Sequence, residues 1–145
     1  MNLRECMTDH PTTVQATQSI HSAAMLMRER DVGFLPVLVA DRIVGLLTDR
    51  DIVIRAVATG LDLDNHQVQE VMTTAVTTAS PDTTFEEAAQ IMSDAQVRRL
   101  PVIIDSKLVG IVSLGDIVVA HQGHEELCGS ILESVSQPVG PKHIM

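Results

Sequence analysis

The segment 45–53, GLLTDRDIV, decides the fold because it returns as GIVSLGDIV at 110–118, an offset of 110 − 45 = 65 residues. The same offset, without a gap, relates three further pairs of segments: 7–8 with 72–73, 23–24 with 88–89, and 35–37 with 100–102. A repeat of this length exceeds most solenoid units and indicates a duplicated subdomain. Two similar halves can pack about a pseudo-twofold axis, and the clefts between them then come in pairs that suit small molecules.

Length and composition indicate one globular protein made of two halves. A half of about 60 residues buries only roughly 60% of its surface, so we expect the halves of this 145-residue chain to fold together. Hydrophobic residues make up 45% of the chain, which argues against disorder. No apolar run approaches the ~20 residues of a membrane span, and the first residues lack a signal-peptide pattern, so we expect a cytoplasmic protein. The net charge of −9 disfavours nucleic acid and anionic membrane surfaces as partners.

The pattern of apolar residues, caps and turns predicts an α/β (α+β) fold in which each half runs strand, helix, strand, strand, helix. In the first half we expect a strand at 12–14, a helix from the Ser19 cap to Arg30, strands at 34–39 and 43–48, and a helix over 49–59. In the second half we expect a strand at 77–79, a helix from a Thr84–Glu87 capping box to Ala95, strands at 100–104 and 107–113, and a helix from 114 to about 121. The predicted division is repeat 1 at 5–60, a linker at 61–69, repeat 2 at 70–121, and a C-terminal tail at 122–145 with an amphipathic helix.

Each half contains the pattern Gly-h-h-[Thr/Ser]-x-x-Asp, where h is apolar, at the point where a strand ends and a helix begins. The free amides of a helix N-terminus can hold a phosphate, and the hydroxyl of Thr48 or Ser113 could bond ribose or phosphate. The carboxylates of Asp51 and Asp116 could accept from both hydroxyls of a ribose. The alternative is that these residues are only helix caps and first-turn acids. The presence of two copies in register favours ligand binding.

The chain resembles the CBS-domain family, the cystathionine β-synthase type of regulatory repeat. The resemblance rests on the Met-Thr pair that starts each repeat, the Leu-Pro-Val strands and the two Gly-h-h-[Thr/Ser]-x-x-Asp-Ile ends, and it covers about residues 5–121. The chain is similar to the small stand-alone bacterial members, the hypoxic response protein type among them. The resemblance implies tandem CBS repeats packed about a pseudo-twofold axis, with two clefts that bind AMP, ADP, ATP or S-adenosylmethionine, and a homodimer.

The resemblance also implies roles for individual residues. By match, Asp51 and Asp116 hold the ribose, and Thr48 and Ser113 contact ribose or phosphate. The residues that would line the adenine pockets are Thr13, Val14, Phe34, Thr78, Ala79 and Arg99.

The two halves differ in where they carry arginine. The second has Arg98 and Arg99 before its Leu-Pro strand, whereas the first has Gly33 and Phe34 there and instead carries Arg50 inside its motif. We therefore hypothesise unequal clefts, one arginine-rich and binding a phosphorylated nucleotide, the other weaker or empty. The planar fork of arginine pairs well with phosphate oxygens. The alternative is that these arginines are ordinary surface residues.

These observations predict a non-enzymatic regulatory module with an adenosine nucleotide as its regulatory ligand and no required cofactor. The output would pass to an unidentified effector protein. The chain has no G-x-S-x-G elbow, P-loop, G-x-G-x-x-G or H-E-x-x-H. The alternatives are a homodimeric interaction scaffold with empty clefts, a nucleotide hydrolase, and a metal or redox sensor.

The sensor alternative depends on Cys6, Cys128 and the C-terminal histidines. The spacing of His121, His124 and Cys128 could place three ligands on one helical face, but Gly123 interrupts it and a fourth ligand is not evident. We therefore expect no metal and exposed tail histidines. In a reducing cytosol the two cysteines are expected to be free thiols, with a Cys6–Cys128 disulfide as the alternative.

Overall fold

The computed structural model describes residues 1–121, which form two compact units. Of these residues, the first-repeat unit comprises 11–76 and 106–108, and the second-repeat unit comprises 1–10, 77–105 and 109–121. Residues 1–10 therefore belong with the second repeat, although they precede the first in the sequence. The predicted tail helix at 125–135 lies outside the described residues.

The elements follow the predicted order except at two places: a strand forms at Thr8–Asp9, and none forms at 77–79. The strands are β1 Thr8–Asp9, β2 Val14–Gln15, β3 Phe34–Val39, β4 Arg42–Thr48, β5 Arg99–Ile104 and β6 Lys107–Ser113. The helices are α1 Ile20–Arg30, α2 Asp49–Asp51 continued by a π-helical stretch Ile52–Val57, α3 Phe85–Ala95 and α4 Leu114–Ala120. Short 3₁₀ turns lie at Leu3–Glu5 and Val68–Glu70. The expected α/β fold is confirmed.

The first-repeat unit is built on β3, which pairs in parallel with β2 and antiparallel with β4. Helix α1 begins where the Ser19 hydroxyl accepts a hydrogen bond from the Ser22 amide at 3.0 Å, and it ends at Asp31 in the left-handed region. Its apolar face joins one buried cluster with the strands: Val14, Ala16, Ile20, Ala23, Met27, Leu35, Val37, Leu47, Ile52, Ala56, Val68 and Val71.

The second-repeat unit repeats this plan with a strand from the N-terminal segment. Strand β6 pairs with β5 and, antiparallel, with β1, where Thr8 lies opposite Ile111. The predicted capping box of α3 is present: the Glu87 amide donates to the Thr84 hydroxyl at 3.1 Å, and the Thr84 amide donates to the Glu87 carboxylate at 3.4 Å. The buried cluster of this unit contains Leu3, Ala79, Phe85, Ala88, Ala89, Met92, Leu100, Val102, Val112, Leu114 and Ile117.

The motif glycines, Gly45 and Gly110, leave room beside their strands for the Met-Thr pairs that start the repeats. A Cβ at Gly45 would lie 2.5 Å from the Met72 sulfur and 2.9 Å from the Thr73 carbonyl oxygen. At Gly110 the corresponding distances, to Met7 and Thr8, are both 3.0 Å. Each glycine therefore lets a Met-Thr segment approach the strand closely enough to pair with it.

Some predicted boundaries were wrong. No strand forms at 77–79, where only Ala79 forms a bridge, opposite Val102. The Ala79 amide donates to the Pro101 carbonyl at 3.0 Å, and the Ile103 amide donates to the Ala79 carbonyl at 2.8 Å. The turn at Pro81, which has no amide hydrogen, ends this pairing at once. The strand expected at 12–14 lies at Val14–Gln15, and the helix expected at 49–59 becomes π-helical at Ile52, with the Ala58 amide donating to the Val53 carbonyl at 2.9 Å.

Helices long and apolar enough to cross a membrane are absent from residues 1–121.

Candidate functional site

Both copies of the motif form reciprocal capping boxes at the start of a helix. The Asp51 amide donates to Thr48 Oγ1 at 3.0 Å, and the Thr48 amide donates to Asp51 Oδ2 at 3.0 Å. In the second copy the Asp116 amide donates to Ser113 Oγ at 3.1 Å, and the Ser113 amide donates to Asp116 Oδ2 at 2.9 Å. These four residues therefore cap their helices. Their role in ligand binding stays a prediction.

The two motif aspartates differ in how closely they are enclosed. Asp51 is only 8% exposed, and the Thr73 hydroxyl donates to its carboxylate at 3.3 Å. Asp116 is half-buried. Asp116 is therefore the more accessible of the two carboxylates for a ligand.

A cavity of about 460 Å³ adjoins the second motif, within the second-repeat unit. It is lined by Arg98, Arg99, Ser113, Leu114, Gly115 and Val118. The Leu114 amide donates to the Arg98 carbonyl at 2.8 Å, which fixes the turn before β5 against the start of α4. This contact brings the two arginines and the Ser113 hydroxyl to one site, as the resemblance implied for Arg99 and Ser113.

The same place in the first-repeat unit has the same backbone and different side chains. The Asp49 amide donates to the Gly33 carbonyl at 2.9 Å, which matches the contact between Leu114 and Arg98. However, Asp49 Oδ2 lies 2.8 Å from the position that a Cβ of Gly33 would occupy. Asp49 Oδ1 accepts from the amide of Arg50 at 2.9 Å, and the Arg50 side chain is exposed. In the first-repeat unit the Asp49 carboxylate thus lies beside Gly33, whereas the aligned position of the second-repeat unit is Arg98.

The residues predicted for the adenine pockets have different surroundings. Val14 and Ala79 are buried in the cores of their units, whereas Thr13, Phe34 and Thr78 are half-buried. Their role in ligand binding remains a prediction.

The cavity also contains residues that sequence reasoning did not assign. Leu114, Gly115 and Val118 line it, and Asp49 occupies the counterpart position. The 65-residue offset aligns Leu114 with Asp49, so the sequence alone shows that the first repeat has a charged residue where the second has an apolar one.

Two residues of the sensor alternative are shielded from solvent to different extents: Cys6 is half-buried and His121 is buried. Burial, together with the nearby carboxylates of Asp116 and Glu5, raises the pKa of the Cys6 thiol to about 11. His121 was expected to be exposed, but this was wrong: it is 3% exposed, because the end of α4 turns its ring onto Phe85 with centroids 5.3 Å apart. Residues 1–121 contain no group of three His, Cys, Asp or Glu that could hold a metal ion, while His124 and Cys128 lie outside the described residues.

Comparison with known proteins identifies the repeats. The family model of the CBS domain matches residues 3–57 and 68–123. The CBS domain-containing protein YhcV of Bacillus subtilis is 41% identical over 135 residues, which cover 93% of this chain and 95% of YhcV.

Two crystal structures extend the match to the fold. That of Hypoxic Response Protein I with two coordinated zinc ions is 37% identical, with a TM-score of 0.76 over 83% of this chain and 98% of its own. That of the CBS domain pair of MJ0100 in complex with 5′-methylthioadenosine and S-adenosyl-L-methionine is 28% identical, with a TM-score of 0.71 over 83% of this chain and 98% of its own. The family model matches both repeats, a relative of nearly equal length matches almost the whole chain, and two crystal structures share the fold. The chain therefore belongs to the CBS domain family, as a pair of CBS repeats.

Proposed function

We propose that this CBS pair is a non-enzymatic regulatory module that binds a phosphorylated adenosine nucleotide in the cavity of its second-repeat unit. The observation that carries the proposal is the cavity of about 460 Å³ lined by Arg98 and Arg99 beside the Ser113 hydroxyl. Its volume lies within the ~300–1,000 Å³ of small-molecule sites. Two adjacent arginines in a chain of net charge −9 form a local cationic site that suits an anion.

The lining offers separate contacts for the parts of a nucleotide. Arginine side chains form charge-assisted hydrogen bonds with phosphate oxygens, and the Ser113 hydroxyl can donate to phosphate or ribose. Leu114 and Val118 supply apolar surface for the nucleoside. Asp116, half-buried at the same turn, is the candidate acceptor for ribose hydroxyls. The complex of the MJ0100 CBS pair with two adenosine derivatives supports an adenosine-type ligand.

The regulatory step is a shift between two states of the protein. A nucleotide that binds one state more tightly raises its population, and an effector protein that distinguishes the states receives the signal. No required cofactor is proposed, and a cytoplasmic location remains a prediction.

The test is calorimetric titration of the full chain with AMP, ADP, ATP and S-adenosylmethionine. We expect one phosphorylated nucleotide to bind, and Arg99→Glu to weaken it at least tenfold. Arg42→Glu is the matched control, since it makes the same charge change at an exposed arginine in the first-repeat unit. Unchanged affinity in Arg99→Glu, or no binding of any nucleotide to the wild type at millimolar concentration, would contradict the proposal.

A second candidate is a homodimeric interaction scaffold. It is favoured by Val53, Ile54 and Val57, which are 54%, 46% and 56% exposed on the helix that closes the first-repeat unit. Contiguous exposed apolar side chains mark interaction surfaces. Light scattering of Ile54→Asp should show a lower mass than the wild type if this helix joins two copies, and an unchanged mass would exclude that surface.

The raised pKa of Cys6 disfavours the redox alternative. A thiol that stays protonated at neutral pH is a weak nucleophile and oxidises slowly.

A further inference from the structure

The two units differ in charge at a place where their backbones agree. The contact from the Leu114 amide to the Arg98 carbonyl, 2.8 Å, has its counterpart in the 2.9 Å contact from the Asp49 amide to the Gly33 carbonyl. In segments 98–99 and 113–116 of the second unit the charged residues are Arg98, Arg99 and Asp116. In the aligned segments 33–34 and 48–51 of the first unit they are Asp49, Arg50 and Asp51. The formal charges of these segments sum to +1 in the second unit and −1 in the first.

In the first unit the Asp49 carboxylate lies beside Gly33, the position that the 65-residue offset aligns with Arg98. The backbone does not require glycine at this position, because Gly60 is the only glycine of residues 1–121 with a positive φ. The neighbour of this position is instead a carboxylate: a Cβ would meet Asp49 Oδ2 at 2.8 Å, so the Asp49 side chain would have to turn aside. Any anion placed there as in the second-repeat cavity would therefore face a carboxylate instead of a guanidinium.

We propose that Asp49 is a specificity-determining residue that excludes phosphate from the first-repeat unit, so that each chain binds a single phosphorylated nucleotide, in the second-repeat cavity. Like charges brought into contact repel, and the exposed Arg50 does not cancel the combined charge of Asp49 and Asp51. A neutral or positively charged ligand would not meet this repulsion. The inference rests on the proposed function, because it assumes that the second-repeat cavity binds a phosphorylated nucleotide.

The test transplants the missing arginine into the first unit. Gly33→Arg combined with Asp49→Ala introduces the guanidinium and removes the carboxylate beside it. We expect this double variant to bind two phosphorylated nucleotides per chain by calorimetry, against one for the wild type. Gly33→Arg alone is the matched control and should stay at one, because the remaining Asp49 carboxylate neutralises the added charge. Asp49→Asn, which keeps the shape and removes the charge, shows by circular dichroism whether the position tolerates substitution.

The site of the gained nucleotide is identified in the Arg99→Glu background. There the chain with Arg99→Glu alone should bind at least tenfold more weakly than the wild type, and adding Gly33→Arg and Asp49→Ala should restore one tightly bound nucleotide per chain. A wild type that binds two phosphorylated nucleotides with equal affinity, or a folded double variant that still binds one, would overturn the role of Asp49 and leave the second-repeat site intact. A wild type that binds none would overturn the proposed function, and the inference with it.

Discussion

The close approach at Gly45 gives a sharp prediction about stability. In Gly45→Ala the new Cβ would lie 2.5 Å from the Met72 sulfur and 2.9 Å from the Thr73 carbonyl oxygen. The sulfur can move, but the carbonyl belongs to the backbone, and moving it strains the two hydrogen bonds of 2.9 and 2.8 Å between Leu46 and Thr73. Overpacking of this kind costs about 1–3 kcal/mol, and because a paired backbone must shift we expect about 2 kcal/mol. For a chain of this length that lowers Tm by roughly 4–8 °C.

The assay is thermal and urea unfolding followed by circular dichroism, since the chain has no Trp or Tyr to report by fluorescence. Gly110→Ala should cost about half as much free energy, because its nearest contacts, to Met7 and Thr8, are 3.0 Å away. Gly115→Ala is the control: the nearest contact of its Cβ within residues 1–121 would be the Ser113 hydroxyl, at 3.6 Å, so stability should change by no more than ~0.5 kcal/mol. If Gly45→Ala unfolds at the wild-type temperature, the close packing of the Met-Thr segment is not what the glycine provides.

Three further outcomes follow from the hydrogen bonds and burial. Asp51→Ala should lower the unfolding free energy by about 2 kcal/mol and Asp116→Ala by about 1 kcal/mol in urea unfolding, because within residues 1–121 Asp51 accepts a further side-chain hydrogen bond, from Thr73; equal losses would contradict this. Thr84→Ala should cost about 1 kcal/mol through loss of the α3 cap, measured the same way, and no loss would refute the capping role. In Cys128→Ser, the thiolate absorbance of Cys6 should rise near pH 11 rather than near the ordinary thiol pKa of 9.0. The folded state holds the thiol proton more tightly than the unfolded state does. The contribution of the protonated thiol to the free energy of unfolding is therefore complete below pH 9.0 and is lost as the pH rises towards 11.

Local chemistry was readable from the sequence. The Thr84–Glu87 capping box, the end of α1 near Arg30 and the strand Phe34–Val39 were all predicted, because each depends on residues within a few positions of one another. The repeat also predicted that the Thr48 and Ser113 turns would be built alike, and both form the same capping box.

Contacts between distant segments were not readable. Thr73 binds the Asp51 carboxylate from 22 positions away, and nothing local to either residue indicates this. His121 looked like part of an exposed tail, because its burial depends on Phe85, which lies on a different helix. The cavity beside Arg98 likewise required the turn before β5 to meet the start of α4.

The placement of residues 1–10 in the second-repeat unit has a consequence for synthesis on the ribosome. Leu3 is fully buried in the core with Phe85, and its amide donates to the Thr83 carbonyl at 3.0 Å, so this core can close only after about 80 further residues have been made. Nearly all of the first-repeat unit, 11–76, is available earlier. Segment 1–10 therefore lacks its final contacts, and the apolar side chain of Leu3 lacks its core, while the unit that follows it folds. A fragment beginning at residue 70 would lack Leu3 and would have to fold around the gap this side chain leaves.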